Sequence, residues 1–366
     1  MSNIDIPIIP PDPEQTQQVI EKLYKLKDAS PKELRNRDFT LEDGQVWTSW
    51  TMRESVYKKK ADRFPTLARG LFTKDYKVMV RGYDKFFNIL ESKYTQWPEL
   101  EEKTEGPYEI TTKENGCIIF IVALSNESII VTSKHSIPSE KTDMKTHAGV
   151  GYAWVLKHLA SVNKTEKDLA SWLNNKNITL VAELCDDEFE QHILPYSGKD
   201  RGLYLHGINY NLTELNTLPS STVKQVAIEF GFHTIDYILL DTLKEVRKFG
   251  EQMQQTQCYN DKEIEGVVIR CKKEGKDFMF KMKNDRYLQY REYREVTKHL
   301  LVYNEDHISI KEDKLPKISY QKTYDYIEWL RKRVLDKPEW FKEYKNQKGI
   351  VQVREEFEKY WETNRL

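Results

Sequence analysis

The spacing of apolar residues changes several times along the chain, and each change predicts a different element. Residues 14–28 put Val19, Leu23 and Leu26 on one stripe, which predicts a helix after the proline-rich lead of residues 7–13. GQVWTSWTM (44–52) reads as a strand and DKFFNILES (84–92) as a short helix. The run from Cys117 to Val122 is apolar throughout and rich in β-branched side chains, the signature of a strand buried on both faces. SNES (125–128) then turns the chain into IIVTS, which predicts an antiparallel hairpin. Residues 146–161 and 165–174 have helical spacing, the second opened by Thr165 and Asp168 as a capping box. NITLVAELC, GLYLHGINYN, EGVVIRC and DFMFKMK have strand character, with KKEGK turning between the last two.

From about residue 286 the strand signals stop. QKTYDYIEWLRKRVLDKPEW (321–340) and VQVREEFEKYWETNRL (351–366) are amphipathic helical patterns with aromatic stripes. Such stripes are expected to pack as core, with base stacking as their second use. The pattern predicts an α+β fold. A body of antiparallel sheets flanked by helices spans residues 1–300, and an all-helical domain spans 301–366.

Composition narrows the class. A chain of 366 residues is long enough for one large or two ordinary domains. With 31% charged and 39% hydrophobic residues it is expected to be globular rather than disordered or membrane-spanning, and its longest apolar run is far short of a bilayer span. The opening MSNIDIPIIPPDPEQ has neither the basic nor the apolar region of a secretory signal. Cys117, Cys185, Cys258 and Cys271 have no CxxC spacing. They read as reduced packing residues of a cytoplasmic or nuclear protein, not as a disulfide or zinc framework. A net charge of −1 conceals two basic stretches, one from Arg53 to Arg81 and one from Lys281 to Lys298. Each is either a solvated face or part of a track for a polyanion.

Candidate chemistry starts at TTKENGCIIF (111–120). Asn115-Gly116 is a turn dipeptide, so Lys113 stands at the lip of the buried strand that follows. Read alone, it is a surface lysine ending a strand or a nucleophile of lowered pKa. In DFMFKMK the period of two puts Met279, Lys281 and Lys283 on one face, the two lysines ~7 Å apart. They are solvated on an edge strand or they meet an anion. Glu183 in LVAELC and Glu265 before GVVIR are carboxylates in apolar runs, expensive without a cation, a hydroxyl or a metal-bound water. SKHS (133–136) clusters polar groups at a strand end.

In chain order these pieces are K113-E-N-G, S133-K-H-S, A182-E-L-C, GLYLHGIN, E265-G-V-V-I-R and K281-M-K283. The series resembles that of the lysyl-nucleotidyltransferase superfamily of DNA ligases, RNA ligases and mRNA capping enzymes, over residues 65–300. The resemblance implies a nucleotidyltransferase body. It implies Lys113 as the nucleophile, Glu265 and the pair Lys281 and Lys283 as further catalytic groups, and Glu183 on the ribose. His206 falls where the family places an aromatic ring against the base, a departure from the pattern. Thr112, Asn115, Gly116, Ser133, Lys134 and, from ARGLF, Arg69 are the other nucleotide-binding candidates. Lys281, Lys283 and a metal are expected to lower the pKa of Lys113. ATP is the implied cosubstrate with Mg²⁺, Mn²⁺ able to substitute, and Glu265 is expected to reach the metal through water.

KENGCIIFI, TSKHS, AELCDDEFEQH and YLHGIN are similar in particular to the adenylyltransferase domain of fungal tRNA-splicing ligases. DNA ligases and capping enzymes carry an arginine soon after the first motif and an OB barrel after the last, whereas this chain has Cys117-Ile118-Ile119 and helical patterns there. The implied substrate is a pair of tRNA exon halves, or other RNA, with a 2′-phosphate beside the 3′-OH. Arg291 and Arg294, three apart on a predicted helix, are candidates to read that phosphate, against pairing with Glu292 and Glu295. No GxxxxGK[ST] loop is present, and only one His-x-Ser, His307-Ile308-Ser309, stands where a phosphodiesterase of that kind needs two. Kinase and cyclic phosphodiesterase modules are therefore expected as partners. A general polynucleotide ligase, a capping-type nucleotidyltransferase and a non-catalytic RNA-binding scaffold are the alternatives.

Overall fold

In the computed structural model, which describes residues 4–305, 307–311 and 314–364, the body is carried by four-stranded antiparallel sheets. The first helix, α1 (Pro13–Ala29), begins where Asp12 accepts from the Gln15 amide. It lays Leu23 on a sheet formed in order by β1 (Leu34–Thr40), β2 (Val46–Met52), β3 (Leu71–Lys74) and β4 (Lys77–Arg81). Trp47 and Trp50 of β2 have opposite parity and fill two different cores, so this strand is covered on both faces. A short helix, α2 (Glu54–Lys60), joins β2 to β3.

After α3 (Trp97–Lys103) the chain runs through β5 (Thr104–Lys113), β6 (Cys117–Ala123) and β7 (Ile129–Ser133). Helices α4 (His147–Ser161) and α5 (Glu166–Leu173) follow, then β8 (Ile178–Cys185) and β9 (Gly202–Tyr210). The sheet β7-β6-β8-β9 puts Ile119 and Ile121 against α4 and α5, and Phe120 and Val122 against Phe72 and Val80 of the first sheet. That two-sided burial is why the β6 sequence has no polar alternation.

The chain then adds α6 (Ser220–Phe230), β10 (Tyr237–Leu240), α7 (Leu243–Thr256) and a short ribbon, β11 (Cys258–Tyr259) with β12 (Lys262–Glu263). The hairpin of β13 (Gly266–Lys273) and β14 (Lys276–Lys283) completes a sheet of order β10-β5-β13-β14. Ile110, Ile269, Phe280 and Met282 face Val246 and Met253 of α7, leaving the other face of this sheet to line a cavity.

The C-terminal part consists of α8 (Asp285–Leu300), a ribbon of β15 (Leu301–Tyr303) with β16 (Ile308–Ile310), α9 (Lys322–Asp336) and α10 (Ile350–Asn364). The aromatic stripes are its core: the Tyr293 and Tyr326 rings stack at 4.5 Å and Phe357 meets both edge-on. The same cluster takes in Cys185, Tyr196 and Tyr204 of the body, so the helices are packed onto it. Residues 365 and 366 of the expected last helix lie outside the described residues. Among the described residues no helix is long and apolar enough to cross a membrane.

Two local expectations are corrected. Strand signals were expected to stop near 286, yet the β15–β16 ribbon joins α8 to α9. Residues 84–92 form no helix. Asn88 bridges to Lys281 in parallel, with the Lys281 amide donating to the Phe87 carbonyl and the Ile89 amide to the Lys281 carbonyl. β14 is the edge of its sheet, and pairing its free backbone groups outweighs a short segment's helical preference.

Candidate active site

The site is built by strand register. β13 lies between β5 and β14, and Gly266 pairs with Lys113 on one side and Lys283 on the other. Cross-strand partners share a face, so the two lysines flank a residue without a side chain. Two residues along, Thr111, Val268 and Lys281 form the next row of that face. A Cβ on Gly266 would stand 2.1 Å from the Met282 carbonyl oxygen, so the close approach of β14 depends on glycine here.

Glu265, just before that glycine, is buried beneath the row. Its Oε1 is 2.8 Å from Lys113 Nζ and 3.3 Å from Lys283 Nζ, and its Oε2 accepts from Asn115 Nδ2 at 3.0 Å. Asn115 points away from the cavity. Its Oδ1 accepts from the Ile193 and Leu194 amides, and its own amide donates to Tyr196 Oη. The turn that ends β5 is thus pinned to the segment after β8. Gly116 follows, where a Cβ would stand 2.1 Å from the Leu184 carbonyl oxygen. Its amide donates to Glu183 Oε1 at 3.3 Å.

A cavity of about 510 Å³ separates this face from β6, β7, β8 and β9. Lys113, Lys281 and Lys283 form one wall; Ser133, Glu183 and His206 stand on the other. Burial pulls the Lys113 amine down, but Glu265 and Glu183 outweigh it and hold it above the ordinary lysine value. Burial also raises Glu265, yet Lys113 and Lys283 bring it down to about 2. Lys281 has no such carboxylate in contact: burial, then Lys113 and Lys283, push it down to about 7. The expected lowering of pKa therefore falls on Lys281, and in direction on Lys283, and not on Lys113, because Glu265 lies nearest Lys113 and is farther from the other two.

These groups are close enough to titrate as a unit. The Lys281 ε-carbon is expected to show an NMR titration near pH 7. It should move upward in Lys113→Met, where one neighbouring cation is gone. The sign for stability follows. A lysine with a folded pKa below its unfolded value (~10.4) weakens the fold while protonated, so stability rises between about pH 7 and ~10.4. A Lys281 resonance titrating only at ~10.4 would contradict this assignment.

The sequence candidates divide by place. Lys113, Lys281, Lys283, Thr112, Gly116, Arg69, Ser133, Lys134, Glu183 and His206 all line the cavity, whereas Asn115 and Glu265 lie behind its wall. Glu265, expected to reach a metal through water, has both oxygens taken by lysines and Asn115. His206 Nδ1 is 2.8 Å from Tyr83 Oη, and its Nε2 is 3.3 Å from Glu183 Oε2 without hydrogen-bond geometry. Arg69 pairs with Glu54. On α8, Arg294 binds Glu295, but Glu292 turns to the Ser319 and Tyr320 amides, and Arg291 makes no ion pair among the described residues. Arg291 faces Lys283 closely enough to depress its pKa after burial and Lys113.

Sequence reasoning missed Tyr83, Lys85, Phe86 and Arg270, which also line the cavity. Arg270 is buried. Its Nη2 donates to Tyr83 Oη and to the His206 carbonyl, while Nε and Nη1 are buried with no partner among the described residues. The run RGYDKFF, three aromatics and two cations around a glycine, was the available signal for the first three.

A lysine row and a cavity of this size fit an acceptor-rich anion such as a nucleoside triphosphate. Most carboxylate oxygens on these walls are already bound: Glu114 by Tyr196 Oη, Asp84 by Arg81 and one Glu183 oxygen by the Gly116 amide, with Glu265 covered behind them. A divalent cation would enter on phosphate oxygens and water.

A sequence model of the RNA ligase family matches residues 67–288. The chain is similar to tRNA ligase 1 of Schizosaccharomyces pombe, 43% identical over 340 residues that cover 85% of this chain and 42% of that protein. It is similar to the tRNA ligase of Candida albicans, 39% identical over 371 residues that cover 93% of this chain and 44% of that one. The chain thus spans less than half the length of these relatives. In three dimensions it is similar to an archaeal ATP-dependent RNA ligase, with a TM-score of 0.50 at 13% identity, covering 95% of this chain and 79% of that one. At that identity the likeness is one of fold.

Proposed function

The chain belongs to the RNA ligase family, and from that premise we propose that it joins RNA ends with ATP through an adenylate carried on Lys113. The observation that carries this reading is the Lys113–Gly266–Lys283 row above a buried Glu265, open to a nucleotide-sized cavity. In the first step a bond forms from Lys113 Nζ to the α-phosphorus and the bond to pyrophosphate breaks. Nζ must be neutral for this, which costs roughly 4–5 kcal/mol for an ordinary lysine at pH 7 and more for Lys113, whose pKa Glu265 and Glu183 hold above the ordinary value. Lys281, half neutral at about pH 7, is the base available to accept the proton that Lys113 gives up. Protonated Lys281 and Lys283 then balance charge on the phosphates. Mg²⁺, or Mn²⁺ in its place, would neutralise phosphate charge while held mainly by phosphate oxygens and water. The adenylate then moves to an RNA 5′-phosphate, and a 3′-OH attacks that phosphate as AMP leaves.

The names of the two fungal relatives support tRNA exon halves as the RNA. We assign Arg291 and Arg294 to a 2′-phosphate beside the 3′-OH. Arg291 is the stronger case, since Arg294 first has to leave the exposed Glu295. Kinase and cyclic phosphodiesterase modules that make such ends are the proposed partners. The proposed ligase unit is residues 1–300, with 301–366 as a helical domain packed on it, in a reducing cytoplasmic or nuclear setting.

The test is sealing of two RNA strands, one with a 5′-phosphate and one with a 3′-OH and 2′-phosphate, in ATP or GTP. Sealing with ATP is expected for the wild type. Arg291→Ala is expected to lose on the order of tenfold or more on the 2′-phosphate substrate, one charge-assisted contact, and much less on a plain 2′-OH. Equal loss on both substrates removes the reading of Arg291. Sealing that needs no nucleotide, or prefers GTP, overturns the ATP assignment.

A further inference from the structure

A second cluster of ligating side chains stands beside the cavity, away from the lysine row. Glu190 Oε1 is 2.9 Å from His147 Nε2, 3.0 Å from His192 Nε2 and 3.1 Å from Cys117 Sγ. Cys117 Sγ is 3.7 Å from His192 Nε2. Cys117, His147 and Glu190 offer ligand atoms that all lie within 4.8 Å of one another. A tetrahedral zinc, with Zn–S ≈ 2.3 Å and Zn–N or Zn–O ≈ 2.0–2.1 Å, separates its ligand atoms by roughly 3.3–3.6 Å. The separations of Glu190 Oε1 from His147, His192 and Cys117, and of Cys117 from His192, fall within about half an ångström of that range, while His192 stands outside the mutually close set of three.

We propose that Cys117, His147, Glu190 and His192 form a site for a soft, tetrahedral divalent cation of the zinc class. A thiolate with two imidazoles selects such an ion over magnesium or calcium, which prefer oxygen. With His192 turned in beside Glu190 as the fourth ligand the coordination sphere closes, so the ion acts as a staple and not as a Lewis acid for the ligation chemistry. The ligands come from the start of β6, the first residue of α4 and the segment after β8. That segment continues into Ile193 and Leu194, whose amides hold Asn115 and so the turn next to Lys113. The staple would tie β6, α4 and the segment after β8 to one another on the side of the cavity opposite the lysine row. Spacing gave no sign of it, because the four ligands span three separate elements and lack any CxxC or HxxxH pair.

The experiment uses the full chain stripped of metal, and it is independent of the ligase reading. Equilibrium dialysis with Zn²⁺ alone is expected to give one equivalent bound per chain, at least roughly tenfold weaker in Cys117→Ser and in His192→Ala. Co²⁺ in its place is expected to show tetrahedral d–d absorption and a sulfur-to-cobalt charge-transfer band, the latter absent from Cys117→Ser. Zn²⁺ is expected to raise the thermal midpoint of the wild type and not of that variant. Affinity unchanged in both variants, or cobalt bound without the sulfur band, overturns the proposal. Should either variant fail to fold by circular dichroism, the wild-type cobalt spectrum decides alone.

Discussion

Lys113→Ala is expected to take up no covalent label from ATP labelled at the α-phosphate. The loss should be on the order of 10³-fold or more, to background on a denaturing gel. Lys113→Arg should be equally silent, since a guanidinium does not deprotonate in proteins and cannot supply the neutral nitrogen. Both variants should fold, because Lys283 remains 3.3 Å from Glu265 and keeps that carboxylate paired. Sealing of RNA already carrying a 5′-adenylate should survive in part, because that step no longer needs a lysine nucleophile. A band of wild-type intensity in either variant would move the nucleotide to another residue and remove the central assignment.

The second large effect is at Glu265. Removing its carboxylate in Glu265→Ala leaves two half-buried ammonium groups and the buried Asn115 amide without their shared partner. Breaking a buried ion pair from one side costs about 3–5 kcal/mol, read as a lowered midpoint in urea at pH 7. Glu265→Gln keeps the shape and part of the hydrogen bonding but not the charge, and isolates the titration. The carboxyl is held at about 2 from an ordinary 4.5. The stability it contributes is complete above about 4.5, and it is lost as pH falls through about 2. That contribution is roughly 3 kcal/mol, from 1.36 kcal/mol per pKa unit. The wild type should lose it across this window and Glu265→Gln should not. Identical acid unfolding of the two proteins would mean that Glu265 is not the buried counter-ion of the lysine row. In both variants labelling from ATP is expected to fall, since Lys113 loses the group that positions it.

Much of the site was legible locally. Lys113 precedes a turn dipeptide, and Lys281 and Lys283 share a face by strand period alone. Glu183 and Glu265 stand out as charges within apolar runs, where burial without a partner is costly. The β6 strand, the two hairpins, the capped α5 and the C-terminal helices were readable because their apolar spacing repeats within a few residues.

What was not legible depends on chain segments meeting across long separations. Residues 84–88 run alongside β14 and 89–91 turn instead of forming a helix, because β14, nearly two hundred residues on, presents an unpaired edge. Asn115 was expected on the nucleotide but serves the segment after β8. Lys113 was expected to carry the lowered pKa, yet Lys281 carries it, since only the folded distances decide which lysine is given the carboxylate.

By itself, then, the order of residues determined which groups exist and which share a strand face, because periodicity and turn chemistry act over a few peptide units. The tertiary structure alone decided that Gly266 separates Lys113 from Lys283, that Arg270 is buried at the cavity wall against Tyr83 and the His206 carbonyl, and that Cys117, His147, Glu190 and His192 converge. Register and packing set those distances, and electrostatics falls off too steeply with distance for composition to stand in for them.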